Sequence, residues 1–178
     1  MSIDRRHWML GTAALLGGWA VDLQAQPADA AAAEAKAPPL PAVGASWPLP
    51  PLELLDGSRV EPRELDGKVV VLYWWASTCP FCAVTTPHLY AFWQRHRGRA
   101  GWQLLTLSID RTPEAAQRYL QQRGYAMPCA WVTPQVQRAM PKPKGLPITL
   151  VRGRDGRILM AERGQLFAED IDAIAQWL

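Results

Sequence analysis

Two cysteines separated by two residues, Cys79 and Cys82, are the side chains of this sequence best suited to chemistry, and their spacing fits thiol–disulfide exchange or metal ligation. They follow Val69-Val70-Val71-Leu72-Tyr73-Trp74-Trp75, a β-branched and aromatic run of the kind that forms a strand buried on both faces. Pro80 suits the first position of a helix, where its missing N–H is no loss, so Cys79 falls at or near the N-cap. Free N–H groups and the positive end of the helix dipole then face its sulfur and favour the thiolate, the reactive form. A free cysteine has a pKa of ~8.5, whereas helix N-termini and Cys-x-x-Cys sites lower it to roughly 3.5–7.5. Cys79 is therefore the expected attacking sulfur. Cys82, one turn further in, should be more buried and placed to resolve a mixed disulfide formed at Cys79. A bridge across so short a loop adds little chain-entropy stabilisation, which argues against a purely structural disulfide.

The competing chemistry is metal binding. Structural zinc takes four ligands, and only Cys129 and His88 could complete a set, at no recognisable spacing. Cys129 is expected to be a small apolar strand residue, with a regulatory or resolving thiol as the sharper alternative. His88 and His96 have no acid partner placed to make either a catalytic base, and are expected at the surface or in helix packing.

The elements that must position the pair follow in order. Leu52 to Leu55, Asp56-Gly57 and Ser58 to Val60 form an expected β-hairpin, and Asp66-Gly67 turns into the central strand. A helix should run from Phe81 to about Arg97, kinked at Pro87, with Arg95, Arg97 and Arg99 as a solvated basic end. Trp102 to Ile109 is the next strand. Thr112 caps a helix that opens on Pro113 and Glu114 and stops near Gly124. The proline-rich stretch from Tyr125 to Lys144 holds a short strand at Cys129–Val132. Leu146 to Arg152 and Ile158 to Glu162 are strands joined through Asp155-Gly156. A closing helix from about Glu169 puts Ile171, Ile174, Ala175 and Leu178 on one face. This order implies an α/β layer fold.

Trp75-Ala76-Ser77-Thr78-Cys79-Pro80-Phe81-Cys82 after a Val-rich strand resembles the thioredoxin superfamily. Gly145-Leu146-Pro147-Ile148-Thr149-Leu150-Val151, followed by Arg154-Asp155-Gly156-Arg157-Ile158, resembles its TlpA-like exported thiol-disulfide reductases. The resemblance covers roughly residues 43–178 and implies a thioredoxin-like fold: a central mixed sheet flanked by helices, an N-terminal β-hairpin and an inserted helix–strand segment. It implies a cis Pro147 beside the cysteines, with the Leu146 backbone free to pair with an extended client. Trp75, Pro80 and Phe81 would complete the client-binding surface. No cofactor is implied beyond a redox-active Cys79–Cys82 disulfide; the implied partners are protein thiols and disulfides and an upstream electron donor such as a membrane reductase. Two positions depart from the family: Thr85 stands where a carboxylate commonly serves the buried thiol, and Tyr73 where thioredoxin has an acid six residues before the first cysteine. The direction of the chemistry stays open, because thioredoxin-fold reductants at about −270 mV and oxidants at about −120 mV share such sites. An oxidant or isomerase, and a non-catalytic metal-binding or binding module, are the alternatives.

Composition narrows the remainder. Forty-nine per cent apolar residues with nine tryptophans can build a full core in one domain of a 178-residue chain. A net charge of +3 gives no nucleic-acid footprint. Residues 1–25 read as an export signal: Arg5-Arg6 precede an apolar stretch from Trp8 to Val21 too short to span a bilayer, resembling the twin-arginine type. Cleavage after Ala25 or Ala30 fits the small residues there, and an uncleaved anchor, the one expected membrane contact, is the alternative. The expected location is the periplasm. Residues 26–42 are expected as a flexible Ala/Pro-rich linker, with the domain at 43–178.

Overall fold

The computed structural model describes residue 32 and residues 34–178. The expected export signal lies outside the described residues. Among the described residues no helix is long and apolar enough to cross a membrane.

Val69–Trp75 forms strand β3, and every one of its residues is buried. Alternation sends Val69, Val71, Tyr73 and Trp75 into one apolar layer and Val70, Leu72 and Trp74 into the other. The sheet orders its strands β5-β4-β3-β6-β7, with β4 at Trp102–Ser108, β5 at Cys129–Trp131, β6 at Ile148–Arg152 and β7 at Ile158–Arg163. β3, β4 and β5 are parallel neighbours; β6 and β7 return antiparallel. Because β6 opposes β3, pairing Ile148 with Trp74, the start of β6 lies at the same end of the sheet as the end of β3. That brings Leu146-Pro147 and the cysteine motif to one end of the molecule. Their sequence positions differ by about seventy residues.

Among the described residues, four α-helices flank the sheet: α1 at Pro80–His96, α2 at Pro113–Arg123, α3 at Pro134–Ala139 and α4 at Ala168–Asp172. Helix α1 continues through Pro87. The Thr112 hydroxyl accepts the Ala115 N–H at the start of α2, and Gly124 ends it in the left-handed region. Helix α3 was not expected, although Thr133 caps it and Pro134 opens it as Thr112 and Pro113 do for α2. The closing segment differs too. α4 gives way to a tighter 3-10 turn at Ala173–Trp177, which still buries Ile171, Ile174 and Leu178. The basic end of α1 is exposed, as expected, and each arginine also finds a partner: Arg95 pairs with Asp172, Arg97 lies 5.3 Å from the Trp93 ring centroid, and Arg99 donates to the Leu178 carbonyl at 2.6 Å.

Chain that precedes β3 reaches both outer strands of the sheet. The hairpin of β1 (Leu52–Glu53) and β2 (Arg59–Val60) reaches β5 through a Leu54–Ala130 bridge and a 2.7 Å bond from Leu55 N–H to the Cys129 carbonyl. On the far edge, Gly44 N–H donates to the Ile158 carbonyl and Ile158 N–H to Ala45.

Gly124 isolates one backbone effect. Its φ is 66°, and a Cβ there would meet nothing within 4 Å. Gly124→Ala is therefore expected to cost about 1–2 kcal/mol through backbone strain alone, and Gly124→Asn less, read as shifts of the urea midpoint with the slope unchanged.

Candidate active site

Strand β3 ends at Trp75, and the chain leaves the core through Ala76, Ser77 and Thr78 before α1 begins. Cys79 is the N-cap of α1, Pro80 its first residue, and the first turn holds no acidic side chain. The Cys79 sulfur accepts the Cys82 N–H at 3.2 Å. Cys79 is half-buried and Cys82 only 1% exposed, so only the outer sulfur can meet a large partner. The two are joined as a disulfide, with Cα atoms 5.2 Å apart. This is the geometry of the oxidised state of an exchange pair.

The turn before Cys79 is held by Asp110, a residue the sequence reading passed over. Its carboxylate accepts the Ser77 N–H at 3.0 Å, the Ser77 hydroxyl at 2.7 Å and the Ser108 hydroxyl at 2.8 Å. The Asp110 carbonyl in turn accepts the Trp131 indole N–H at 2.7 Å. A signal was present in Ser108-Ile109-Asp110 at the end of a strand, but its partner Ser77 lies 33 residues earlier.

Behind the inner cysteine the interior is apolar and hydroxylic. The Thr86 hydroxyl donates to the Cys82 carbonyl at 2.7 Å; the Tyr73 hydroxyl lies 3.0 Å from Thr86 and 3.4 Å from the same carbonyl. Burial pushes the Tyr73 phenol well above its ordinary range, so it stays neutral. Thr85 turns away from the pair. Its hydroxyl accepts the Leu166 N–H at 3.0 Å and faces the Leu166 carbonyl at 3.3 Å.

The Leu146–Pro147 bond is cis. Pro147 is buried and Leu146 half-buried. Among the described residues, the Leu146 N–H and C=O have no backbone partner. The loop after β7 joins this element to α1: Gly164 N–H donates to the Pro147 carbonyl at 2.8 Å, and two residues later Leu166 bonds Thr85. Pro80 and Phe81 are exposed, and Phe81, Val84 and Phe167 stand out as exposed large apolar side chains on these segments.

Trp75 is placed differently from the expectation. It is fully buried, packed with its ring centroid 5.2 Å from that of Tyr119, and so supports the site from within the core instead of facing a client. Its position in a strand buried on both faces leaves no route to the surface. Cys129 is buried in β5, where burial pushes its thiol up to about 11. His96 packs on Phe92 and Trp102, and among the described residues no three His, Cys, Asp or Glu side chains are grouped to hold a metal ion.

A family model described as Thioredoxin-like matches residues 67–158. The thiol-disulfide oxidoreductase ResA of Halalkalibacterium halodurans is 30% identical over 77 residues, which span 43% of each chain and so less than half of that relative. ResA of Bacillus anthracis is 24% identical over 118 residues, 66% of this chain and 68% of that one. Two solved structures show the same fold. A thioredoxin-family thiol:disulfide interchange protein from Chlorobium tepidum superposes with a TM-score of 0.66 at 20% identity, covering 76% of this chain and 97% of that one. StoA from Bacillus subtilis gives 0.60 at 17%, covering 77% and 98%.

The buried thiol yields a test with a definite sign. Its folded pKa lies above its ordinary value near 9, so the protonated form stabilises the fold below that value and the stabilisation is lost as pH rises towards about 11. Stability is expected to fall by about 2–3 kcal/mol across that window, and Cys129→Ala should flatten the loss when denaturation midpoints are compared at pH 8 to 11.

Proposed function

The chain belongs to the thioredoxin-like family, and from that premise we propose that it is an exported thiol-disulfide oxidoreductase that reduces disulfides in partner proteins. The observation that carries this reading is the outer sulfur at a helix N-cap, bonded to the Cys82 N–H, with a cis-proline element at the same end of the sheet.

In the reduced protein the Cys79 thiolate attacks one sulfur of a client disulfide. A Cys79–client bond forms, the client S–S bond breaks, and the leaving client thiolate takes a proton from water. Cys82 then loses its proton and attacks Cys79. The mixed disulfide breaks, the second client thiolate leaves and is protonated, and the Cys79–Cys82 disulfide remains. Two electrons have passed to the client, and a dithiol donor must restore them. The N-cap supports the first step, since the N–H groups that steady the Cys79 thiolate also lower its pKa.

The client is held as an extended strand against the free Leu146 backbone, with Pro147 shaping the groove and Pro80 and Phe81 flanking the outer sulfur. Export rests on Arg5-Arg6 and the apolar stretch after them, and places the enzyme in the periplasm with a membrane reductase as the class of donor. The resemblance of the Gly145–Val151 motif to TlpA-like proteins favours reduction over oxidation.

Cys82→Ala is expected to accumulate mixed disulfides at Cys79 that reducing agents release, whereas Cys79→Ala should trap none. An absence of trapped partners with Cys79 still alkylatable removes the exchange reading. A reduction potential near about −120 mV would reassign the direction to oxidation, and stoichiometric metal with no disulfide turnover would favour a binding module.

A further inference from the structure

Outside the cysteine motif, the most unusual polar arrangement surrounds Lys142. Its side chain is only 7% exposed, and its ammonium donates to the Pro143 carbonyl at 2.7 Å, the Gly145 carbonyl at 2.9 Å and Glu34 Oε2 at 3.0 Å. An ammonium has three N–H bonds, and these three acceptors match them. The other Glu34 oxygen accepts the Gly145 N–H. One carboxylate thus bridges a buried cation and a backbone N–H, across sequence separations of 108 and 111 residues.

Two features give this contact meaning beyond packing. The first is its place: Gly145 immediately precedes Leu146-Pro147, so the bridge fixes the base of the loop that would receive the client. Gly145 is pinned on a second side, since its φ is 99° and a Cβ would lie 2.5 Å from Arg163 Cδ. The second is its origin. Glu34 sits in Ala30-Ala31-Ala32-Ala33-Glu34-Ala35-Lys36-Ala37, which offers almost no side chain larger than a methyl to bury. This stretch cannot be docked by apolar contact, so specific polar bonds must do it. A further bond, Lys144 N–H to the Pro38 carbonyl at 2.8 Å, extends the contact along the loop. Burial pushes the Glu34 carboxyl up, but the Gly145 N–H and Lys142 outweigh it and hold the carboxyl below the ordinary carboxylate range.

We propose that Lys142 and the Gly145 N–H form a carboxylate-binding niche at the base of the client groove, filled in this chain by Glu34, which makes Glu34 a positioning residue for the Leu146-Pro147 loop. The proposal rests on the functional reading above for its effect on clients, but the niche itself does not. With Glu34 in place the Leu146 backbone is preset for pairing with an extended peptide. Without it, the buried ammonium loses one of its three acceptors and its counter-charge, the Gly145 N–H loses its acceptor, and the loop must relax to rehydrate them. A small disulfide that needs only the Cys79 sulfur is indifferent to this loop.

The test compares wild type, Glu34→Ala and Lys142→Met with a protein disulfide and a small aromatic disulfide as substrates. Glu34→Ala is expected to raise KM for the protein substrate roughly three- to tenfold, the range of one charge-assisted contact, with kcat and small-disulfide turnover unchanged. Truncation at Cβ removes a CH2–COO− unit, the size of acetate. Added acetate should therefore restore KM in Glu34→Ala but not in Lys142→Met, against chloride at equal ionic strength. Equal loss on both substrates, no loss on the protein substrate, or no rescue by acetate overturns the proposal. If wild type exchanges neither disulfide, the functional reading fails instead. The niche is then decided by whether acetate raises the Tm of Glu34→Ala above that in chloride: a rise supports it and no rise overturns it.

Discussion

The structure depends on a sulfur held at the mouth of a helix by the strand that runs into it. β3 is buried along its whole length, so its end cannot drift, and Asp110 fastens the three-residue turn between that strand and α1. Cys79 is therefore delivered to a fixed point, where the Cys82 N–H meets its sulfur. Such a bond is worth more to an anion than to a thiol, so a rigid backbone becomes a bias towards the thiolate.

Behind the pair, the chain uses a different solution from the carboxylate its relatives commonly carry. Tyr73 and Thr86 hold the Cys82 carbonyl with neutral hydroxyls, and Thr85 is committed to the loop after β7. A carboxylate in so dry a place would pay a large desolvation penalty and titrate within reach of neutral pH. Hydroxyls avoid both. The groups that hold the Cys82 carbonyl are therefore neutral hydroxyls, which carry no charge near neutral pH.

Much of this was legible in the sequence, because the decisive signals are local. The buried strand follows from seven consecutive apolar residues, the start of α1 from Cys79-Pro80, and the limits of α2 from Thr112-Pro113 and Gly124. The same logic applied to Thr133-Pro134 would have found α3, which the surrounding prolines obscured. The cis geometry at Pro147 was legible only through resemblance. What stayed hidden were contacts between distant segments: Asp110 with Ser77, Leu166 with Thr85, Glu34 with Lys142. Each involves a common polar residue with no periodicity to mark it. Trp75 shows the converse limit. The resemblance implied a place in the client-binding surface, but a strand buried on both faces keeps it inside.

These distant contacts share a purpose that neither the motif nor the fold alone explains. A cysteine pair and a cis proline come from opposite halves of the chain, and the proposed exchange with an extended client would need both in register. Strand pairing between Trp74 and Ile148 sets that register to within a residue, but the loops beyond the strand ends lie outside the ladder and must be fixed by other means. The structure supplies three ties there: Asp110 on the cysteine side, the Gly164–Leu166 segment between the two sides, and the Glu34–Lys142 bridge on the proline side. The first two lie beside the sheet, in segments that flank its strands. The third comes from the alanine-rich lead-in, whose composition gives it no other reason to dock. A segment that would otherwise be a mere spacer therefore bears directly on the Leu146-Pro147 loop.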